Sequence, residues 1–212
     1  MRVAVFGGTF NPVHYGHLRL AEEAREICGL DRVVFMPTFI TPHKLTESLT
    51  PAKVRFELVK AAIEDNPGFS VSDIEIRREG RSFTVDTVRE LLKEPDIEVF
   101  LILGSDSFND IASWYEYEEL LNLASFIVAP RPNNLPKPLE QVLPVELASK
   151  FWYDSRVMAL VNSCGNSITY LDTTPIDISS SEIRERVGRG RSVRYLLPDS
   201  AIEFIRKEGL YR

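Results

Sequence analysis

The chain opens with a short apolar run, Arg2 to Phe6 (Arg-Val-Ala-Val-Phe), that stops at Gly7-Gly8. Such a run reads as a buried strand feeding a tight turn. From about Gly16, the residues Leu18, Ala21, Ala24, Ile27 and Cys28 recur at helical spacing, and Gly29 closes that helix as its C-cap. Arg32 to Met36 is a second strand, ended by Pro37. Strand, helix and strand in this order form the elementary unit of a parallel sheet, whose crossover is right-handed. That unit constrains the chain more than any other feature.

The remaining pattern extends it. Thr50-Pro51 starts a helix, with threonine as N-cap and proline at the first helical position. Its apolar stripe is Val54, Leu58, Val59, Ala62 and Ile63. Residues 69–77 read as a strand that buries Val71, Ile74 and Ile76. A helix follows Ser82 and Thr84, with Val85, Val88, Leu91 and Leu92 on one face. Ile97 to Leu103 is the strongest central strand, running into Gly104-Ser105-Asp106. A helical stretch, Trp114 to Leu123, precedes a strand over Ser125 to Ala129. Residues 132–150 lack periodicity and read as an irregular surface segment with a short helix near 144–150. A late strand, Ser167 to Leu171, leads to two closing helices, one after Ser179 and one from Pro198 to Glu208. The expected architecture is one α/β doubly wound parallel sheet of Rossmann-like type. It forms a single domain over 1–212, with 179–212 as a helical C-terminal portion.

Composition narrows the function classes. Among 212 residues, 44% are hydrophobic and 26% charged, as in ordinary globular proteins. No apolar stretch approaches the roughly 18 residues of a membrane span, and the N-terminus lacks a signal-peptide pattern, so a cytoplasmic location is expected. Cys28 and Cys164 lie far apart and read as ordinary buried thiols, not as a disulfide or a zinc site. A net charge of −6 argues against general nucleic-acid binding. Cations are nevertheless concentrated locally, at Arg77, Arg78 and Arg81 and again at Arg184, Arg186, Arg189, Arg191 and Arg194, which suits a small anionic substrate.

The chemistry gathers at predicted strand ends, where open parallel sheets bind ligands. Gly7-Gly8-Thr9 matches neither a phosphate-binding Walker loop nor the Gly-x-Gly-x-x-Gly fingerprint. Instead, His14 and His17 stand three residues apart at a helix start, on neighbouring parts of one turn. A helix N-terminus offers free N–H groups to phosphate, and imidazoles there stabilise charge on a leaving group. Taken alone, His-x-x-His better fits a metal pair, or one core and one surface histidine. Zinc would need further ligands, and His43 is the only other histidine. The surrounding Gly7-Gly8, Asn11-Pro12 and Gly16 favour phosphate. Near the far end, Ser179 and Glu182 have capping-box spacing, so a second helix begins there; alone it reads as a capped surface helix, and beside the first motif as one that directs hydroxyls and Arg184 toward an anion.

The segment from Gly7 to His17, with His14-Tyr15-Gly16-His17, resembles the signature of the HxGH-type nucleotidyltransferase superfamily. Ile178 to Arg184 resembles its second motif. Within that superfamily the chain is most similar to the bacterial nicotinate-nucleotide adenylyltransferases over nearly its whole length. The similarity runs through Thr41 to Lys44, Gly80 to Thr87, Leu103 to Tyr117 and Pro130-Arg131-Pro132. Arg81 and Phe83 stand where that family often has Pro and Tyr.

The resemblance implies adenylyl transfer from ATP to nicotinate mononucleotide, giving nicotinate adenine dinucleotide and pyrophosphate. It places ATP on Gly7, Gly8, Thr9, Phe10, Gly104, Asp106, Ile178, Ser179, Ser180 and Arg184, with its phosphates near the catalytic His14, His17, Lys44 and Arg184. The acceptor would meet Thr84, Asp106, Trp114, Tyr115 and Arg131, with Trp114 stacked on the pyridine ring. Asp106 as a plain turn residue and Trp114 as a core residue are the alternatives. Mg²⁺ is expected on the ATP phosphates, held mainly by phosphate and water, with no metal cage in the protein. Nicotinamide mononucleotide or phosphopantetheine as acceptor, or a non-catalytic nucleotide-binding regulator, are the competing functions. Neither nucleic acid nor membrane is expected as a partner, and a homo-oligomer is compatible with the sequence.

Overall fold

Strand β1 (Arg2–Gly8) pairs in parallel with β2 (Arg32–Pro37) on one side and with β4 (Glu98–Gly104) on the other. This is a computed structural model, and it describes residues 1–40, 49–131 and 134–212. β3 (Phe69–Val71) flanks β2, and β5 (Ser125–Ala129) flanks β4, both in parallel. β8 (Ser167–Tyr170) continues in parallel from β5. β7 (Ala159–Asn162) and β6 (Phe151–Asp154) then complete the sheet antiparallel. The order is β3-β2-β1-β4-β5-β8-β7-β6. The chain therefore winds outward from β1 in one direction and from β4 in the other, as the doubly wound expectation requires. The reversal lies between β1 and β4.

Both faces of the sheet are buried, which is why its central strands are near-continuous apolar runs. Along β4, Phe100 and Ile102 enter one core, while Val99, Leu101 and Leu103 enter the other. The first face is covered by α1 (Tyr15–Ile27), α2 (Ala52–Ala62), α9 (Ser180–Gly188) and α10 (Asp199–Lys207). The second is covered by α4 (Thr84–Leu91), α5 (Ser105–Asn109) and α6 (Tyr117–Leu123).

Several expectations are corrected. Gly7 and Gly8 belong to β1, and the turn begins at Thr9. Ile27 is exposed, because helix α1 buries only the face carrying Ala21, Glu23 and Ala24. Pro51, not Thr50, caps α2, and the buried stripe contains Arg55 while Val54 is only half-buried. The expected strand over 69–77 ends at Val71, and helix α3 (Ile74–Arg78) follows. Ser72 Oγ accepts from the Ile74 N–H, and Arg77 pairs with Asp73 one turn back at 2.9 Å, so local polar bonds favour the helix.

Trp114 is extended and Glu116 is left-handed, so the helix expected from Trp114 begins only at Tyr117. In 134–150, helices α7 (Leu139–Val142) and α8 (Val145–Ala148) bury Leu139, Val142 and Ala148, so that segment is not merely surface. Strands β6 and β7 were not foreseen. Cys28 is half-buried and Cys164 exposed, and both are free thiols. No helix among the described residues is long and apolar enough to cross a membrane.

Candidate active site

Because β1, β2, β4 and β5 are mutually parallel, their exits lie along one edge of the sheet, at the strand-order reversal where open α/β sheets bind ligands. β1 exits into Thr9–His14, a turn closed by α1. Phe10 adopts φ 45, in the left-handed region that a bulky residue rarely visits, and is 2% exposed. Its ring packs against Phe6, Phe35 and His17, the last at 5.2 Å.

Three of the turn's carbonyls are claimed by side chains from outside it. Arg55 Nη1 donates to Thr9 O at 2.7 Å, Arg184 Nη1 to Asn11 O at 2.8 Å, and Ser180 Oγ to Pro12 O at 2.8 Å. By contrast, the N–H groups of Thr9, Phe10, Asn11, Val13 and His14 meet no acceptor among the described residues. Unclaimed backbone donors at a helix start make an anion-binding concavity.

Within it, His14 and His17 are stacked, with ring centroids 3.8 Å apart and planes inclined by 35°. Both Nδ1 atoms are buried without a hydrogen-bond partner. Burial first, and the Arg131 guanidinium second, lowers the His14 imidazole from 6.5 to about 4. Burial, then His14, then Arg131 hold His17 well below its usual value. Both rings are therefore neutral near pH 7 in the free protein.

The second motif, Ile178 to Arg184, reaches this turn. Ser179 is the N-cap of α9, its Oγ accepting from the Glu182 N–H at 3.1 Å. Ser180 and Arg184 then tie α9 to the turn through the two bonds described above. Ile178 is half-buried against the first core. β4 exits at Gly104 into α5, whose first turn carries the exposed Asp106. Arg131, just beyond β5, lies 3.9 Å from Asp106. A methyl group at Gly104 would collide with Asp106 Oδ1 and would lie 2.8 Å from Arg131 Nε, so glycine lets both side chains cross this exit.

Thr84, Trp114 and Tyr115 form a second cluster. Thr84 opens α4, and the adjacent Phe83 ring lies 4.6 Å from that of Tyr115. Arg89 binds Asp86 at 3.2 Å, and also Glu116 and Glu119, fixing the Tyr115 segment against α4. Trp114 and Tyr115 line an open depression with Ala112, Glu116 and Tyr117. Trp114 also packs partly on the second core, so the core and ligand readings of this indole meet in one residue. The cluster is joined to the strand exits: Ser82 donates its N–H to Ile40 O at 3.2 Å, and its Oγ accepts from the Phe39 N–H at 3.0 Å. Lys44, with Thr41 and His43, lies outside the described residues, as does Pro132.

Three buried charged residues were not singled out from sequence. Arg55 is 1% exposed, Glu75 5% and Glu23 6%. Glu23 accepts from the Thr174 N–H at 2.9 Å and binds Arg19, anchoring the segment that leads to α9. Burial pushes the Glu75 carboxyl up, opposed by hydrogen bonds from Ser82 and Thr87 around the start of α4. Of the three, only Arg55 shows in the sequence as a charge between apolar neighbours, Val54 and Phe56, on an expected helix. Among the described residues, no group of three His, Cys, Asp or Glu side chains could hold a metal ion.

A model described as cytidylyltransferase-like matches residues 5–186, which includes the β1–α1 turn and α9 through Arg186 and defines the general class. Curated relatives are more specific. A protein named "Probable nicotinate-nucleotide adenylyltransferase" from Citrifermentans bemidjiense is 47% identical over 212 residues, covering 100% of this chain and 98% of the relative. One of the same name from Trichlorobacter lovleyi is 44% identical, with 100% of each covered. Among solved structures, the Plasmodium falciparum nicotinic acid mononucleotide adenylyltransferase complexed with NaAD superposes with a TM-score of 0.72 at 19% identity. That match covers 99% of this chain and 97% of the other, and establishes likeness of fold. The chain belongs to the cytidylyltransferase-like family and, within it, to the nicotinate-nucleotide adenylyltransferases.

Proposed function

We propose that this chain transfers the adenylyl group of ATP to nicotinate mononucleotide, forming nicotinate adenine dinucleotide and pyrophosphate. The observation that carries the reading is the β1–α1 turn: five unclaimed N–H groups beside two stacked, neutral histidines, with Arg184 bound to the same turn. That arrangement suits a triphosphate whose leaving pyrophosphate gains charge as the bond breaks. His14 and His17 donate to the phosphoryl oxygens, while Arg184 and Lys44 neutralise them. Gly7, Gly8, Thr9 and Phe10 form the floor beneath the nucleotide. Gly104 and Asp106 meet ribose, and Ile178, Ser179 and Ser180 bring α9 against the adenylate.

The acceptor's pyridine ring stacks on Trp114. Its carboxylate takes N–H groups near Thr84 and Tyr115, and Arg131 faces its phosphate. That phosphate is already ionised at neutral pH, so it attacks the α-phosphorus in line without a general base or a protein nucleophile. Alignment and charge neutralisation supply the rate. Mg²⁺ is a hard cation that prefers oxygen ligands and retains water. The imidazole, N–H and guanidinium donors at this site fit an ion carried on the triphosphate, and the chain's own residues act on the phosphates directly. We assign the whole chain to one catalytic unit in the cytoplasm, with 179–212 as its helical C-terminal portion. Support comes from the first core, which α9 and α10 share with α1 and α2.

The direction of attack is tested with nicotinate mononucleotide carrying ¹⁸O in its phosphate. Mass spectrometry should find the label in nicotinate adenine dinucleotide and none in pyrophosphate. Labelled pyrophosphate would overturn the mechanism, and absence of the dinucleotide would overturn the function.

A further inference from the structure

Arg55 interrupts the apolar stripe of α2 and is the largest fully buried side chain among the described residues. Burying a guanidinium is costly unless its donors are used. Here Nε donates to Thr50 O at 2.8 Å, Nη1 to Thr9 O at 2.7 Å and Nη2 to Thr38 O at 2.6 Å. Those carbonyls lie at the start of α2, in the β1–α1 turn and at the exit of β2. One side chain therefore fixes three segments.

The bond to Thr9 has a directional consequence. A trans peptide is planar, with its C=O and N–H pointing opposite ways. Drawing Thr9 O toward Arg55 turns the Phe10 N–H away from α2, where it meets no acceptor among the described residues. Phe10 is held there at φ 45, a backbone state that persists only where its surroundings over-determine it. The same logic holds at β2, where Arg55 takes Thr38 O and the N–H of that peptide, on Phe39, reaches Ser82 Oγ.

We propose that Arg55 is a positioning residue for the triphosphate, aiming the Phe10 N–H at the phosphates through the Thr9–Phe10 peptide. This rests on the reading that ATP occupies the β1–α1 turn. The test compares Arg55→Gln and Arg55→Lys with the parent by calorimetric binding of a non-hydrolysable ATP analogue with Mg²⁺, without acceptor, followed by steady-state kinetics. Misplacement of a positioning group by about 1 Å costs up to about 10²-fold in rate.

Arg55→Gln should weaken analogue binding and raise the ATP KM by about tenfold or more, leaving the acceptor KM within about twofold. Arg55→Lys keeps the charge but has one nitrogen for three carbonyls, so it should fall between. A purely structural role would lower the melting temperature while leaving affinity per folded molecule parental, and that result overturns the proposal. Should Arg55→Gln not fold, parental analogue affinity in Arg55→Lys overturns it equally. A parent that binds the analogue but makes no dinucleotide refutes the function and leaves this comparison standing. A parent that binds no analogue refutes ATP at this turn, and the proposal with it.

Discussion

His14 and His17 face each other at 3.8 Å between ring centroids, and neither buried Nδ1 has a partner. Burial is the main reason both imidazoles lose affinity for protons; Arg131 adds to it at His14, and His14 and then Arg131 add to it at His17. Near pH 7 the pair is a neutral donor set.

A stability prediction follows from the direction of these shifts. The His14 value falls from 6.5 to about 4 on folding, so between those pH values the unfolded chain binds more protons than the native one. Stability then rises with pH across that window and is lost as pH falls from 6.5 toward 4. The loss at the acid end is on the order of 3 kcal/mol for His14. Denaturant melts from pH 7 to 4 should be flatter in His14→Asn than in the parent. An equal slope would contradict the assignment.

Removing either imidazole should slow turnover. His14→Ala and His17→Ala are each expected to lower kcat by about 10²–10³-fold, the range for loss of one preorganised donor. Pre-steady-state measurement of the adenylyl-transfer step reads this directly. Parental turnover in either variant would refute the role given to the pair.

Trp114→Ala should act on the acceptor. Stacking of a planar ring on an aromatic side chain is worth about 1–3 kcal/mol, so the acceptor KM should rise by about tenfold or more while the ATP KM holds. If only the ATP KM moves, the stacking assignment fails.

Gly104→Ala separates geometry from stability. Gly104 has φ −72, which alanine adopts freely, so the melting temperature should change little. The new methyl group would displace Asp106 and Arg131, both exposed chains able to swing away. Substrate KM values should therefore rise by several-fold, a size set by the ~1 kcal/mol of a typical hydrogen bond. Parental KM values would show that the crossing of these two chains is idle.

The fold was legible where burial is two-sided. Ser125–Ala129 is a strand with the bounds its apolar run suggests, because a central parallel strand leaves no other reading. β6 and β7 lie at the antiparallel edge, where Trp152 and Tyr153 are exposed and no alternation distinguishes inside from outside. The helix over Ile74–Arg78 was hidden because Ile74 and Ile76 also fit strand periodicity, and bonds from Ser72 and Asp73 decided the matter. In the site, His14, His17 and Arg184 were legible as side chains of unusual type at helix starts. Arg55 was not, because an arginine on a helix reads as solvated until its burial is known.

Discrimination between acceptors tests the proposed activity most directly. Pyrophosphate release should be followed with saturating Mg-ATP and either nicotinate mononucleotide or nicotinamide mononucleotide, comparing kcat/KM. A site built to receive a carboxylate on N–H groups should favour the nicotinate form by at least about tenfold, since hydrogen bonds to a charged group contribute roughly 1.5–3 kcal/mol. Equal values for the two acceptors would contradict that preference, and no release with either would contradict the central claim.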